Sequence, residues 1–169
     1  MNRNGTVKVL AALAATGAMF AASHVWAGDK EDAAKPAGVL VLPFGDSPVL
    51  AYSWGASQSG SIGGGGGGGG GGVGKVSVQD FHITRPVDAH SPKIFKAVAT
   101  GEHLAIVEIN SGSTKFKLQD VLISSYQTGG SGADGKVTRT DQVSFNFGKI
   151  TYTVDGSSTC LDIVQNKAC

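Results

Sequence analysis

Charge is scarce in this chain: Asp, Glu, Lys and Arg make up only 16% of its 169 residues, well below the usual quarter. Lys plus Arg, at 14, nearly balances Asp plus Glu, at 13, and setting aside Arg3 and Lys8 moves the balance from +1 to about −1. A basic nucleic-acid clamp is excluded on that ground. Aromatic residues are few, at 7%, there are five prolines, and no long apolar run follows residue 27. Cysteine is limited to Cys160 and Cys169. What is abundant is glycine, 26 residues, while a hydrophobic content of 41% still suffices for a core, so wholesale disorder is excluded. The length past residue 27 is that of one domain.

The apolar segment at the start has a recognisable plan. Arg3 and Lys8 precede an uncharged run from Val9 to Ala22, and Val25 and Ala27 place small residues at the −3 and −1 positions of a cleavage site. Residues 1–27 read as a secretory signal peptide cut between Ala27 and Gly28. The competing reading is an uncleaved anchor helix, but Val9 to Ala22 would rise only about 21 Å against about 30 Å of hydrocarbon. The mature protein is therefore expected in the periplasm or outside the cell, with no membrane attachment after cleavage. An oxidising compartment allows Cys160 and Cys169 to pair within the chain, two free thiols or an intermolecular bridge being the alternatives.

Residues 28–38 form a polar lead-in, and a folded domain is expected over 39–154, followed by a tail, 155–169. Val39–Phe44 and Val49–Trp54 read as strands around a turn at Asp46-Ser47-Pro48, with Leu50, Tyr52 and Trp54 on one face. Ten consecutive glycines, Gly63 to Gly72, offer no side chain to pack and read as a loop. Alternation then changes phase three times, at Gln79-Asp80, at Gln119-Asp120 and at Gly148-Lys149, as in strands that bend at the corners of small barrels and orthogonal sandwiches. One helix is expected: Ser91 as N-cap, Pro92 at the first helical position, a stripe of Ile94, Phe95 and Val98, and Gly101 past the end. Asn110–Ser113 reads as a hairpin turn, and Gly129 to Gly135 as a second glycine-rich loop before strands from Gln142 to Val154. The fold class is all-β, a small β-barrel or two-sheet sandwich with one short helix on its side.

No catalytic centre emerges from the motifs. Gly69 to Lys75 approaches the P-loop pattern, but Val76 stands where a magnesium-binding hydroxyl is required and a strand-like alternation replaces the phosphate-cradling helix. His82 has Asp80 two residues before it, a spacing that a solvated strand face explains as well as a metal site does. Gly55–Ser59 begins like a nucleophile elbow without its closing glycine. The carboxylates downstream of Phe44 are dispersed, and no pair is singled out. No catalytic, cofactor-binding or metal-binding residue is assigned, and no cofactor is expected.

Ala51-Tyr52-Ser53-Trp54-Gly55-Ala56-Ser57-Gln58-Ser59-Gly60-Ser61, the glycine run, and Gly74-Lys75-Val76-Ser77-Val78-Gln79-Asp80 together resemble the Hcp family, the tube protein of type VI secretion. Val121 to Gly132, Val143-Ser144-Phe145-Asn146-Phe147 and the Ser91–Gly101 helix fall in the same order. The resemblance implies a small β-barrel of two sheets whose copies form hexameric rings that stack head to tail into an expelled tube, with a lumen able to carry small effector proteins. Gly63, Gly72, Gly129, Gly130 and Gly132 mark the loops most easily placed between copies, since segments without side chains adapt to a neighbouring surface. The chain departs from the pattern in its signal peptide, a shorter turn after Phe44, a shorter Ile109–Phe116 segment and its cysteine-bearing tail. The role implied is structural rather than enzymatic; the second role considered is an exported binding module that keeps the fold without stacking.

Overall fold

Short turns and one very long hairpin account for the architecture. The computed structural model describes residues 35–59, 75–133 and 136–169. The expected signal peptide, most of the polar lead-in and Gly63 to Gly72 lie outside these residues.

Strand β1 (Gly38–Leu42) and strand β2 (Gly45–Val49) form a hairpin in which Leu42 faces Gly45. The turn is thus Pro43-Phe44, and the expected turn at Asp46-Ser47-Pro48 is corrected to strand. Gly45 makes the early turn possible: its φ is 133° and a Cβ there would lie 2.3 Å from Nε2 of His90. Pro48 is tolerated because, among the described residues, β2 has a ladder with β1 alone, so its missing N–H breaks no bond. Leu50 then carries the chain between layers, its N–H donating to Thr84 O at 2.8 Å.

Strand β3 (Ala51–Ser53) pairs with β6 (Phe81–Pro86), while β4 (Ala56–Gln58) and β5 (Val76–Val78) make a separate two-stranded ribbon. The expected bend at Gln79-Asp80 separates β5 from β6, with the Gln79 N–H donating to Gly55 O at 2.9 Å.

Helix α1 (Ser91–Thr100) buries Ile94 and Ala97 and ends at Gly101 in the left-handed region, φ 64°. Two details differ from expectation. His90, not Ser91, occupies the N-cap, because the Ser91 hydroxyl turns inward to Asp141. Phe95 leaves the buried stripe and is 59% exposed, since the 91, 94, 97 row faces the sheet and Phe95 lies a quarter-turn away beside Tyr126.

Strand β7 (His103–Ser111) turns at Gly112-Ser113 into β8 (Thr114–Ala133), which pairs along its length with β9 (Lys136–Val154). The expected loop at Gly129–Gly135 is corrected accordingly: Gly129, Gly130 and Gly132 are ladder residues facing Thr140, Arg139 and Val137, and β9 begins at Lys136 rather than Gln142. Ladder bonds use backbone groups alone, so an established hairpin extends through glycines despite their entropic cost. Asp120 takes φ 54°, and a Cβ on Gly148 would lie 3.2 Å from its Oδ2. The phase changes at Gln119-Asp120 and Gly148-Lys149 are therefore the two sides of one bend. A register shift between Ile123 and Ser125 follows it.

Because the hairpin bends, each of its strands serves two layers. One layer runs β2-β1-β7-β8-β9, continuing to β10 (Ser157–Asp162) and β11 (Lys167–Ala168); the other is β3-β6-β9-β8. The result is the sandwich form of the expected fold class, not a continuous closed barrel. Leu40, Val107, Phe116, Leu118, Phe145 and Ile150 are among the side chains that fill it. The expected tail is folded from Ser157 onward: Asp155 and Gly156, at φ 50° and 83°, turn β9 directly into β10.

Candidate functional site

Strand β6 presents Phe81, Ile83 and Arg85 to the interior in alternation, and β9 presents Asp141, Val143 and Phe145. A cation and an anion thus occupy inward positions on neighbouring strands, Arg85 and Asp141 both at 0% exposure. Arg85 Nη1 donates to Asp141 Oδ2 at 3.0 Å and to Ser91 Oγ at 3.2 Å; Nε and Nη2 donate to Ser47 Oγ at 2.9 and 2.6 Å. Nη2 also pairs with Asp88 Oδ1. Asp141 further accepts from the Ser91 hydroxyl and from Tyr126 Oη at 2.9 Å. One guanidinium therefore joins β2, β6, β9 and the start of α1, and Tyr126 brings in β8. Geometrically this is a positioning network: its serine hydroxyls donate to carboxylates, and the imidazole beside it, His90, has its Nδ1 3.4 Å from Asp88 Oδ1 rather than on either serine.

Desolvation pushes Asp88 upward, but the Arg85 hydrogen bond, the His90 N–H at 2.7 Å, the Ser47 hydroxyl and the Arg85 charge outweigh it and hold the carboxyl far below the usual range. A depressed folded value means that the stabilisation is complete above the unfolded value of about 3.9 and is lost as pH falls below it. Asp162, held low by the Gln165 N–H and Lys149, acts in the same direction. Stability measured as the urea midpoint is expected to fall from about pH 5 toward pH 2, and Asp88→Asn to flatten that slope. An unchanged slope in the variant would remove Asp88 from the account. At the alkaline end, burial and then the hydrogen bond to Asp141 raise Tyr126, so its contribution is lost as pH climbs past the ordinary phenol range.

The histidines do not converge. His82 Nδ1 lies 2.7 Å from Ser144 Oγ, itself 2.8 Å from Ser125 Oγ, on a shallow face lined by Ser53, Thr84, Gln127 and Gln142. Asp80 is engaged elsewhere, accepting from Ser124 and from Asn146 Nδ2 at 2.9 Å. His90 packs beside Phe44, and His103 pairs with Asp120 at 3.3 Å on the exposed bend. Among the described residues no three metal-ligand side chains gather.

Of the candidate assembly positions, Gly129, Gly130 and Gly132 lie on the distal part of the β8–β9 hairpin, where Gln127–Gly132 and Lys136–Arg139 are all exposed. Gly63 and Gly72 fall outside the described residues. Cys160 and Cys169 come together across β10 and β11, with Cα atoms 5.3 Å apart. Sequence reasoning missed Arg85, Asp141, Ser47 and Tyr126. The signal was available: a charge on the inward phase of two apolar strands is a buried charge in need of a partner.

A family model described as "Type VI secretion system effector, Hcp" matches residues 45–154. Protein hcp1 of Pseudomonas aeruginosa is 39% identical over 85 residues, 45% of this chain and 51% of that protein. The chain thus spans about half the length of that relative. A solved "type six secretion system protein" superposes with a TM-score of 0.67 at 19% identity, covering 80% of this chain and 100% of the other. Hcp1 from Salmonella typhimurium gives 0.63 at 20% identity, covering 78% and 97%. At these identities the superpositions speak for the fold alone.

Proposed function

The chain belongs to the Hcp family of type VI secretion, and from that membership we propose that it is a structural subunit whose copies form hexameric rings and stack into a tube. The observation that carries the reading is the family match across 45–154, the stretch that holds the bent hairpin, the helix and the Arg85 network. Exposed ladder glycines and an exposed Phe95 support it, because a ring needs one patch that meets a different patch on the next copy, and backbone without side chains permits close approach. The subunit is exported after cleavage between Ala27 and Gly28, pairs Cys160 with Cys169 in an oxidising compartment, and carries small effector proteins in its lumen.

Light-scattering mass across a concentration series, with electron microscopy, tests assembly. Six subunits per particle are expected, and shortening Gly63 to Gly72 is expected to alter stacking more than thermal stability. A monomer at high micromolar concentration would overturn the ring. N-terminal sequencing of the same preparation, recovered outside the cytoplasm, is expected to begin at Gly28; an intact Met1 would overturn export.

A further inference from the structure

Ribbon β4–β5 consists of two three-residue strands, and among the described residues neither has a ladder with any other strand. A ribbon of that size is marginal by itself. Its outside support comes from the far end of the chain. Asn166, at φ 52° in the turn between β10 and β11, accepts the N–H of Val76 through Oδ1 at 3.2 Å. In the same turn Ile163 donates its N–H to Gly148 O at 2.9 Å, and it packs, as Val78 does, against the core. Lys75, Val78, Ile163 and Val164 line one cavity of about 510 Å³. Within the turn Gln165 donates its N–H to Asp162 Oδ1 at 2.9 Å and Asn166 to Ile163 O at 3.3 Å, but its base is short: β11 pairs with Leu161 and Asp162, the Cys169 N–H adds one bond to Cys160 O at 3.3 Å, and Cys160 and Cys169 sit at the open end of that ladder.

We propose that a Cys160–Cys169 disulfide acts as a redox latch on the β4–β5 ribbon, holding the 163–166 turn against β5 when closed and releasing it when reduced. On closing, the two thiols give up two protons and two electrons to an oxidant such as a disulfide of a thiol-oxidising protein. On opening, a dithiol reductant returns them: its thiolate attacks one cystine sulfur, the other leaves as a thiolate, and the reductant's second thiol resolves the mixed disulfide and departs as a cyclic disulfide. Without the link a two-residue ladder at a chain terminus frays, and Asn166 is no longer fixed.

Amide hydrogen exchange, resolved by residue on protein purified without reductant and on the same protein in dithiothreitol, tests the latch independently of ring formation. Reduction is expected to speed exchange at Val76 by roughly tenfold while Phe145, in the core, keeps its protection. Asn166→Gly, which suits the positive φ and removes the acceptor, is expected to speed Val76 equally with the disulfide intact. Unchanged exchange at Val76 on reduction, acceleration spread over the core, or free thiols in the unreduced protein would each overturn the latch.

Discussion

Arg85→Met is expected to destabilise the protein by about 3–5 kcal/mol, the cost of leaving a buried charge without its partner. Asp141 would keep its Tyr126 and Ser91 hydrogen bonds but lose the guanidinium at 3.0 Å, with no water in reach at 0% exposure. Asp88 and Ser47 would lose donors in the same step. The double variant Arg85→Met/Asp141→Asn is expected to recover part of the loss, because it removes both charges rather than stranding one. Tyr126→Phe, which removes one hydrogen bond to the carboxylate, is expected to cost about 1–2 kcal/mol. Urea denaturation of the three variants decides: a loss below about 1 kcal/mol for Arg85→Met would mean that the pair is hydrated and does not organise the core.

Phe116→Ala is expected to cost a comparable 3–5 kcal/mol, by cavity formation. Phe116 is the hub of an aromatic cluster, stacked on Tyr152 at 4.8 Å and edge-on to Phe81, Tyr52 and Trp54 at 5.0, 5.5 and 6.2 Å. It joins β8 to β3, β6 and β9, so its loss opens a void between layers that no single neighbour can fill. Trp54, on the same cluster's margin and only half-buried, is expected to lose less on replacement by Ala. A larger loss at Trp54 than at Phe116 would relocate the centre of the cluster.

The strands, the helix and the bends were legible wherever side chains alternate or cap. Phe116/Leu118 against Val121/Ile123 showed that β8 changes face, and the facing change at Gly148 showed it again on β9. The sequence did not show that these were opposite one another, since register between strands is a tertiary fact. Where glycine replaces patterned side chains, at Gly129–Gly132, periodicity has nothing to read, and a ladder carries the composition of a loop. Asp155-Gly156 carries a strong signature of a two-residue hairpin turn, but Thr159 and Cys160 give the apolar pattern of β10 little contrast. Asp46-Ser47-Pro48 misled in the opposite sense: turn-forming residues sit in a strand because Ser47 is wanted by Arg85. The site stayed hidden for a related reason. Its members lie far apart along the chain, and only pairing of β6 with β9 sets Arg85 opposite Asp141.

The bend at Asp120 and Gly148 also has a bearing on how the molecule comes apart. Since β8 and β9 cross it, neither layer possesses a complete set of strands of its own, and pulling one layer away means unzipping a hairpin the other also needs. The two layers are therefore expected to unfold in one cooperative event rather than two sequential ones, with the Leu118 and Phe145 amides, on opposite sides of the bend, sharing one opening free energy. The fold gains its resistance to partial opening from connectivity, a property that no individual contact in it possesses.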